Sequence, residues 1–372
     1  MFRHSEFSTG NGGIAEHFFS GVSAPGKDFA AEAEALFKAY HAFLATHGCS
    51  LESEILLRFH LSDVTNQMPF LCELIKGRSS FISVVGQPPA CGSRIALETW
   101  HWCGSKLKQL HDGALECVTK NYRILWFQTP DPAVAGSAEQ TSGEFEALKR
   151  MLASHQGTVE ANTVRTWLYC RDVDNNYRGL VAARNEFFAA NGLSSSTHFI
   201  ASTGIEGQMA RPSRLVQMDS VNWMNLRRGQ QIYLSAPAML SPTALYGVSF
   251  ERGTRLVLGD RSHYFISGTA SIDADGQVVH PFNVEKQTER LVENVSALLE
   301  SSGGTLGDLK WATVYLRDPA DASRVLHILE KRLVPDLPLV AVRAPVCRPA
   351  WLVEMECVAV NAKGDSAFAP FS

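Results

Sequence analysis

The chain has 372 residues, enough for two ordinary domains that each bury a substantial core. Apolar residues make up 45% and charged residues 19%, a globular composition that excludes a disordered chain. The formal net charge of -4 leaves no electrostatic footprint for nucleic acid or an anionic membrane, and the Arg227-Arg228 doublet reads as solvated turn residues.

The opening MFRHSEFSTGNGG lacks the continuous apolar core of a signal peptide, and no apolar run approaches the roughly 20 residues that span a bilayer. Eight cysteines, at 49, 72, 91, 103, 117, 170, 347 and 357, contain no C-x-x-C pair. That spacing suggests neither a disulfide framework nor a zinc site, so the expected location is the cytoplasm, with reduced thiols. The 12 histidines show no H-E-x-x-H or paired ligand spacing, and neither a metal nor another cofactor is expected. Thr9-Gly-Asn-Gly-Gly13 lacks the Lys-Ser/Thr of a phosphate loop, and Gly204 and Gly207 read as turn glycines because their run opens no helix.

Residues 1–26, rich in Gly and Ser, read as an extension or irregular wrap. From Lys27 to His47 the apolar residues Phe29, Ala33, Leu36, Tyr40 and Phe43 recur at spacings of four and three, which predicts a helix. Strands are predicted at Glu54–His60, Ser80–Val85, Arg94–Trp102 and Tyr122–Gln128, separated by Pro and Gly. An internal repeat follows. Glu144–Asp172 and Arg290–Asp318, 146 positions apart, each read as an amphipathic helix, a Gly-containing stop, and a strand ending in Tyr-x-Arg-Asp. Second helices are predicted at Asn175–Ala190 and Ala320–Leu333, and each copy closes on a strand, Leu215–Met218 or Leu352–Met355. The Arg of each Tyr-x-Arg-Asp, Arg171 and Arg317, is expected to pair with Asp172 and Asp318 or to cap the next helix.

Helices interleaved with strands predict an α+β fold used twice, each copy a mixed sheet backed by helices. The expected boundaries are an N-terminal extension and helix over 1–50, a first domain with insertions over 51–225, a connecting segment over 226–242, and a second domain over 243–372. On the last strand, LVEMECVAV, Glu354 stands among aliphatic neighbours. It is either a desolvated carboxyl with a raised pKa or an edge residue facing solvent, with Glu356 on the same face. The first copy has Gln217 in that place, so one acidic site per chain is expected.

Across Tyr246 to Val360 the second copy resembles the RidA/YjgF family. The matching segments are Tyr264–Ser271 (YFISGTAS), Gln287–Asn294 (QTERLVEN), Ala312–Asp318 (ATVYLRD) and Leu352–Glu356 (LVEME). The resemblance implies a small sheet backed by two helices, usually assembled as a trimer with sites between subunits. A single chain of two such halves with an extra N-terminal portion is similar to the chorismatases, whose segments appear as Ala201–Ile205 (ASTGI) and Phe250–Gly253 (FERG). This likeness implies cleavage of chorismate into pyruvate and a hydroxybenzoate, with no cofactor and no partner beyond that small molecule, as a monomer or a trimer.

The same likeness implies a role for particular residues. Glu354 is the general acid. Tyr177 and Arg184, seven apart on one helix face, contact the substrate, as does Tyr233. Arg343 or Arg348 is expected to hold an anionic group. Gly253 and Cys347 match the 3-hydroxybenzoate-forming type rather than the hydrolase type, with 4-hydroxybenzoate as a second product considered. Where RidA-type imine deaminases carry an Arg, this chain reads Pro338-Leu339-Val340-Ala341, which argues against simple imine deamination. Chorismate hydrolysis, enamine/imine deamination and non-catalytic sensing of a small molecule are the alternatives.

Overall fold

The computed structural model describes residues 2–10 and 12–372. The chain builds three mixed sheets in succession. The first unit holds β1 (Phe2–Phe7), β2 (Ala15–Val22), α1 (Phe29–Thr46), β3 (Glu54–Leu61), α2 (Val64–Leu74), β4 (Phe81–Gly86) and β5 (Ile95–Cys103). The second holds β6 (Lys106–Gln109), β7 (Leu115–Val118), β8 (Arg123–Gln128), α3 (Ser137–Ser154), the short α4 (Val159–Asn162), β9 (Thr163–Cys170), α5 (Val173–Ala190), β10 (Ala201–Glu206) and β11 (Val216–Trp223). The third holds β12 (Gln231–Tyr233), β13 (Gly253–Val257), β14 (Ser262–Ala270), α6 (Val284–Glu300), β15 (Leu309–Leu316), α7 (Ala322–Arg332), β16 (Leu339–Arg343) and β17 (Val353–Asn361).

Strand order shows that the three units are variations on one design. The sheets run β1-β2-β5-β3-β4, β10-β9-β11-β8-β7-β6 and β12-β13-β14-β17-β15-β16. In each, one helix crossover joins a parallel pair, β3/β4, β9/β10 or β15/β16, and the last strand inserts antiparallel beside the first of that pair. Helices lie on one face, as the α+β reading expected. The tandem arrangement therefore stands, with a third unit beyond the two copies visible in the repeat.

The expected boundaries differ from this sheet membership. The described residues of 1–26 are not an irregular wrap: β1 and β2 pair along their length, and β2 joins β5. Residues 51–225 divide between two sheets, because β3, β4 and β5 belong with β1 and β2. The connecting segment 226–242 also contributes an edge strand, β12, paired with β13. The paired arginines turn elsewhere too. Arg317 binds Asp174 of the second unit at 2.9 Å, whereas Arg171 donates to the carbonyls of Met209 and Arg214. No helix among the described residues is long and apolar enough to cross a membrane.

The local signals behind these elements are ordinary. Asp28 caps α1 by accepting from the Ala31 N–H at 2.9 Å, and Asn283 caps α6 through Lys286. The buried stripe Ala33, Leu36, Phe37, Tyr40 and Leu44 seats α1 on its sheet. β17, flanked by strands on both sides, is buried along its whole length, so its sequence is nearly continuously apolar. Glu354 and Glu356 interrupt it.

The centre of the molecule is polar. Register places Glu98, Asp219 and Glu356 at equivalent positions on β5, β11 and β17, opposite Arg58, Trp167 and Thr313. All three acids are buried. Glu356 accepts from Arg165 and Trp167 of the second unit, both at 2.7 Å, and pairs with Arg58 of the first at 3.3 Å. Glu98 accepts from Trp311 and Thr313 of the third unit, both at 2.8 Å. Asp219 accepts from Ser83 of the first unit at 2.5 Å. Each acid thus ties its own sheet to a neighbouring one. Glu356→Ala leaves the buried Arg165 guanidinium without its carboxylate and Arg58 with only Glu98 at 3.7 Å, which costs about 3–5 kcal/mol. Chemical denaturation should show a correspondingly lower midpoint, and an unchanged midpoint contradicts this role.

Candidate active site

The best-formed cavity, about 260 Å³, opens between the second and third units. One wall is α5 with β10. The other is β14, β17 and the segments 246–252 and 347–351 of the third unit. The α5 wall is fixed from its first turn. Asp172 precedes the helix with a φ of 51° and makes no side-chain cap. Glu206, at the end of β10, accepts instead from the Asp172 and Val173 N–H groups at 3.1 and 2.6 Å, placing a carboxylate at the helix N-terminus. Arg317 holds Asp174 in the same turn, and this pairing keeps the Asp174 carboxyl below its usual range. Tyr177 and Arg184 then project from one face, two turns apart. The Tyr177 ring lies directly on Gly204 of β10, where an added Cβ would come within 2.8 Å of it.

Glu354 enters from the opposite wall. A β-bulge between Ile266 and Thr269 breaks the β14/β17 register and brings Gly268 beside the carboxyl. A Cβ at Gly268 would collide with that carboxyl, so the backbone approach requires glycine. Glu354 is 5% exposed and takes no hydrogen bond from the described residues. Burial, reinforced by the charge of Glu356 two positions on, raises its pKa to about 8, against the weaker opposing pull of Arg252 and Arg165. Glu354 is therefore a neutral acid at pH 7. The edge-strand alternative does not hold, because β17 has partners on both sides.

Cations surround that neutral acid. Arg184 is 1% exposed, yet its Nε and Nη2 have no hydrogen-bond partner. Its guanidinium faces the Phe250 ring at 5.9 Å. Arg252, 6% exposed, gives its bonds to the Ser241 carbonyl and lies 5.4 Å from both Tyr246 and Phe250. Arg348 sits between Tyr246 at 4.5 Å and Trp351 at 4.9 Å. None of the three pairs with a carboxylate of the described residues. One buried guanidinium with free N–H bonds, that of Arg184, beside two more that no carboxylate neutralises, makes a receptor for an organic anion.

Of the residues singled out in the sequence, Glu354, Tyr177, Arg184, Cys347 and Arg348 line this cavity together. Cys347 stands against both Tyr177 and Glu354, and burial with the Glu354 charge pushes its thiol up to about 12. The other three lie elsewhere. Tyr233 is on the edge strand β12 and stacks on His198 at 4.4 Å. Arg343 ends β16 on the exposed side, its backbone N–H bonded to Pro88. Gly253 is buried behind the wall, where a Cβ would meet the Phe265 carbonyl at 2.9 Å and Leu234 at 3.0 Å. Arg348 therefore takes the place considered for Arg343. Arg252 was missed although it stands in the FERG segment, and its neighbour Phe250 was the available signal.

The other two unit boundaries lack this chemistry. Register sets Tyr315 opposite Glu354, Tyr169 opposite Gln217 and His60 opposite Ala96. Only the β17 position carries an acid.

Comparison with known proteins places this architecture. The family model described as Endoribonuclease L-PSP matches residues 256–361. A RutC family protein of Pyrococcus abyssi is 31% identical over 96 residues, 26% of this chain and 76% of that protein. The chain belongs to the RutC family. A second RutC family protein, from Saccharolobus solfataricus, is 36% identical over 67 residues, which span 18% of this chain and 53% of that protein. Among solved structures, a chorismatase crystal structure superposes with a TM-score of 0.64 at 20% identity, covering 83% of this chain and 93% of that one. That likeness shows a shared fold across most of the chain, beyond the RutC-family unit that the family model matches. For this RutC-family chain, carboxyl-carbon NMR should show one glutamate titrating near 8 whose signal is lost in Glu354→Gln. Titration of that signal near the ordinary 4.5 contradicts the burial argument.

Proposed function

We propose that this protein cleaves chorismate and releases pyruvate, with Glu354 as the general acid. The observation that carries the reading is a neutral buried carboxyl set in a cavity lined by Arg184, Arg252 and Arg348. Chorismate presents two carboxylates and an electron-rich enolpyruvyl ether. The carboxylates match the guanidinium groups, and the ether needs an acid that still holds its proton in neutral water. Glu354 delivers that proton to the terminal methylene, which becomes the methyl group of pyruvate. The adjacent carbon becomes an oxocarbenium-like centre, captured by the neighbouring ring hydroxyl or by water, and the ether C–O bond breaks. Chorismate contains the atoms of a hydroxybenzoate plus pyruvate, so the aromatic outcome needs no co-reactant. Hydrolysis to a dihydroxycyclohexadiene acid consumes one water.

The favoured product is 3-hydroxybenzoate, with 4-hydroxybenzoate as the companion to look for. The support is Gly253 with Cys347, as in the resemblance to that chorismatase type. Cys347 touches the cavity, and Gly253 sits directly behind Arg252, so bulk at either position alters how the ring is held. The chorismatase fold likeness agrees with this reading, as does the absence of an arginine on the β10 wall, Ser202–Gly204, and at Val340. Imine deamination of the RidA type lacks its arginine in both places.

Purified protein incubated with chorismate should yield pyruvate and an aromatic acid, separable by chromatography. Glu354→Gln preserves shape and neutrality, so it should leave stability near wild type and lower the rate by at least about 100-fold. The wild-type rate should fall as pH rises through about 8, because the carboxyl then loses the proton it must donate. Normal turnover by Glu354→Gln removes this mechanism, and no pyruvate from wild type removes the substrate. The double variant Gly253→Ala/Cys347→Ala should shift products from the aromatic acid toward the diene acid. An unchanged product ratio shows that these two positions do not set the outcome.

A further inference from the structure

We infer that the first unit carries a binding site for a thiophilic divalent cation of the zinc class, formed by Cys49, Cys103 and His17. These residues are far apart in the chain, and three different elements bring them together. Cys49 lies just beyond α1, where its N–H bonds to the Leu44 carbonyl at 3.1 Å. Cys103 ends β5, and His17 lies in β2. On the β2/β5 ladder Ala15 faces Cys103 and His17 faces His101, so strand alternation puts His17 and Cys103 on one face as diagonal neighbours. One ligand atom from each of the three residues lies within 4.8 Å of the others.

The spacing suits a tetrahedral cation. The two Sγ atoms are 3.9 Å apart. Two zinc–sulfur bonds of about 2.3 Å at a tetrahedral angle span about 3.8 Å, whereas a disulfide requires about 2.0 Å. The two sulfurs thus already stand at the separation that a tetrahedral cation sets. The imidazole is also prepared. His17 Nδ1 is 3.0 Å from His4 Nε2 and 3.7 Å from a Glu6 carboxylate oxygen. That engagement leaves Nε2 for the cation, with the His4 ring as the outer hydrogen-bond partner that fixes the imidazole. His17 and Cys49 are each 8% exposed and Cys103 is half-buried, so the site opens to water on one side. Three protein ligands and one water complete four-coordination, and both thiols release their protons to solvent on binding. The bound cation fastens the end of α1 to the β2/β5 pair. It is remote from the Glu354 mechanism and independent of it.

Full-length protein, treated with chelator under reducing, oxygen-free conditions and then given cobalt(II), tests this directly. The expected result is one cobalt per chain, with a thiolate-to-cobalt charge-transfer absorption that zinc(II) abolishes by displacement. Cys72 and Cys91 are exposed, so Cys72→Ser/Cys91→Ser serves as control and should keep the full absorption. Cys49→Ser, Cys103→Ser and His17→Gln should each lose the bound equivalent, with folding checked by circular dichroism. Should a thiol variant misfold, the absorption of the Cys72→Ser/Cys91→Ser protein decides alone. Absence of that absorption in the wild type or the control overturns the inference, as does undiminished binding by a folded Cys49→Ser/Cys103→Ser protein. Chorismate turnover plays no part in the readout.

Discussion

A single buried carboxylate, that of Glu356, organises much of this molecule. It belongs to the third unit, accepts from Arg165 and Trp167 of the second, and pairs with Arg58 of the first. Desolvating one carboxylate and two guanidinium groups is costly, and the arrangement persists because each finds opposite charge or a donor in a different sheet. Register among the three sheets is thereby specified at the centre, where a slip would strand a charge. The same charge lies two residues from Glu354 on the same strand face, and it helps keep that neighbour protonated. One ionised acid inside the core thus supports both the assembly of the sheets and the neutrality of the acid at its edge.

The three units share a plan but not a chemistry. The position occupied by Glu354 is Gln217 in the second unit and Ala96 in the first. The central acids, by contrast, recur as Glu98, Asp219 and Glu356. Repetition is kept where the sheets meet and relaxed where a cavity opens, which fits a division between assembly and reactivity. Arg184 illustrates the second role. A buried guanidinium with unpaired N–H bonds is a poor structural element and a good anion receptor.

Much of the fold was legible because its signals are local. The helix predicted over Lys27–His47 is α1 (Phe29–Thr46), and that over Asn175–Ala190 is α5 (Val173–Ala190). The strands around Glu54, Ser80, Arg94 and Tyr122 also appear close to their expected limits. The first unit escaped notice as a copy because it lacks the Tyr-x-Arg-Asp ending: Arg58 and His60 of β3 carry the central network instead. Its hairpin of β1 and β2 mixes Gly, Ser and His with aromatics and shows no clear period, and α2 contains Pro69. At the site, an aliphatic strand and a helical spacing left the roles of Glu354, Tyr177 and Arg184 open, and the likeness to the chorismatases pointed to them. Arg252 was not assigned, and Arg348 was not separated from Arg343, since loop direction has no periodicity to follow. Tyr233 fell outside the cavity because it lies on β12 at the sheet edge, and Gly253 because β13 packs it against Phe265 and Leu234. The meeting of His17, Cys49 and Cys103 depends on cross-strand register, which spacing along the chain does not express.

Covalent fusion of the three units has an evolutionary consequence. In a ring of identical subunits, every substitution is copied into each interface, so a change that benefits one cleft burdens the rest. Here a codon alters one boundary alone. The acid position holds Ala or Gln in two units and a carboxyl in the third, and Arg184, Arg252 and Arg348 gather at the cavity of that third. Such a chain trades multiplicity of sites for independence among them, and so can specialise one cleft for a substrate that an exactly symmetric ring must accommodate everywhere or nowhere.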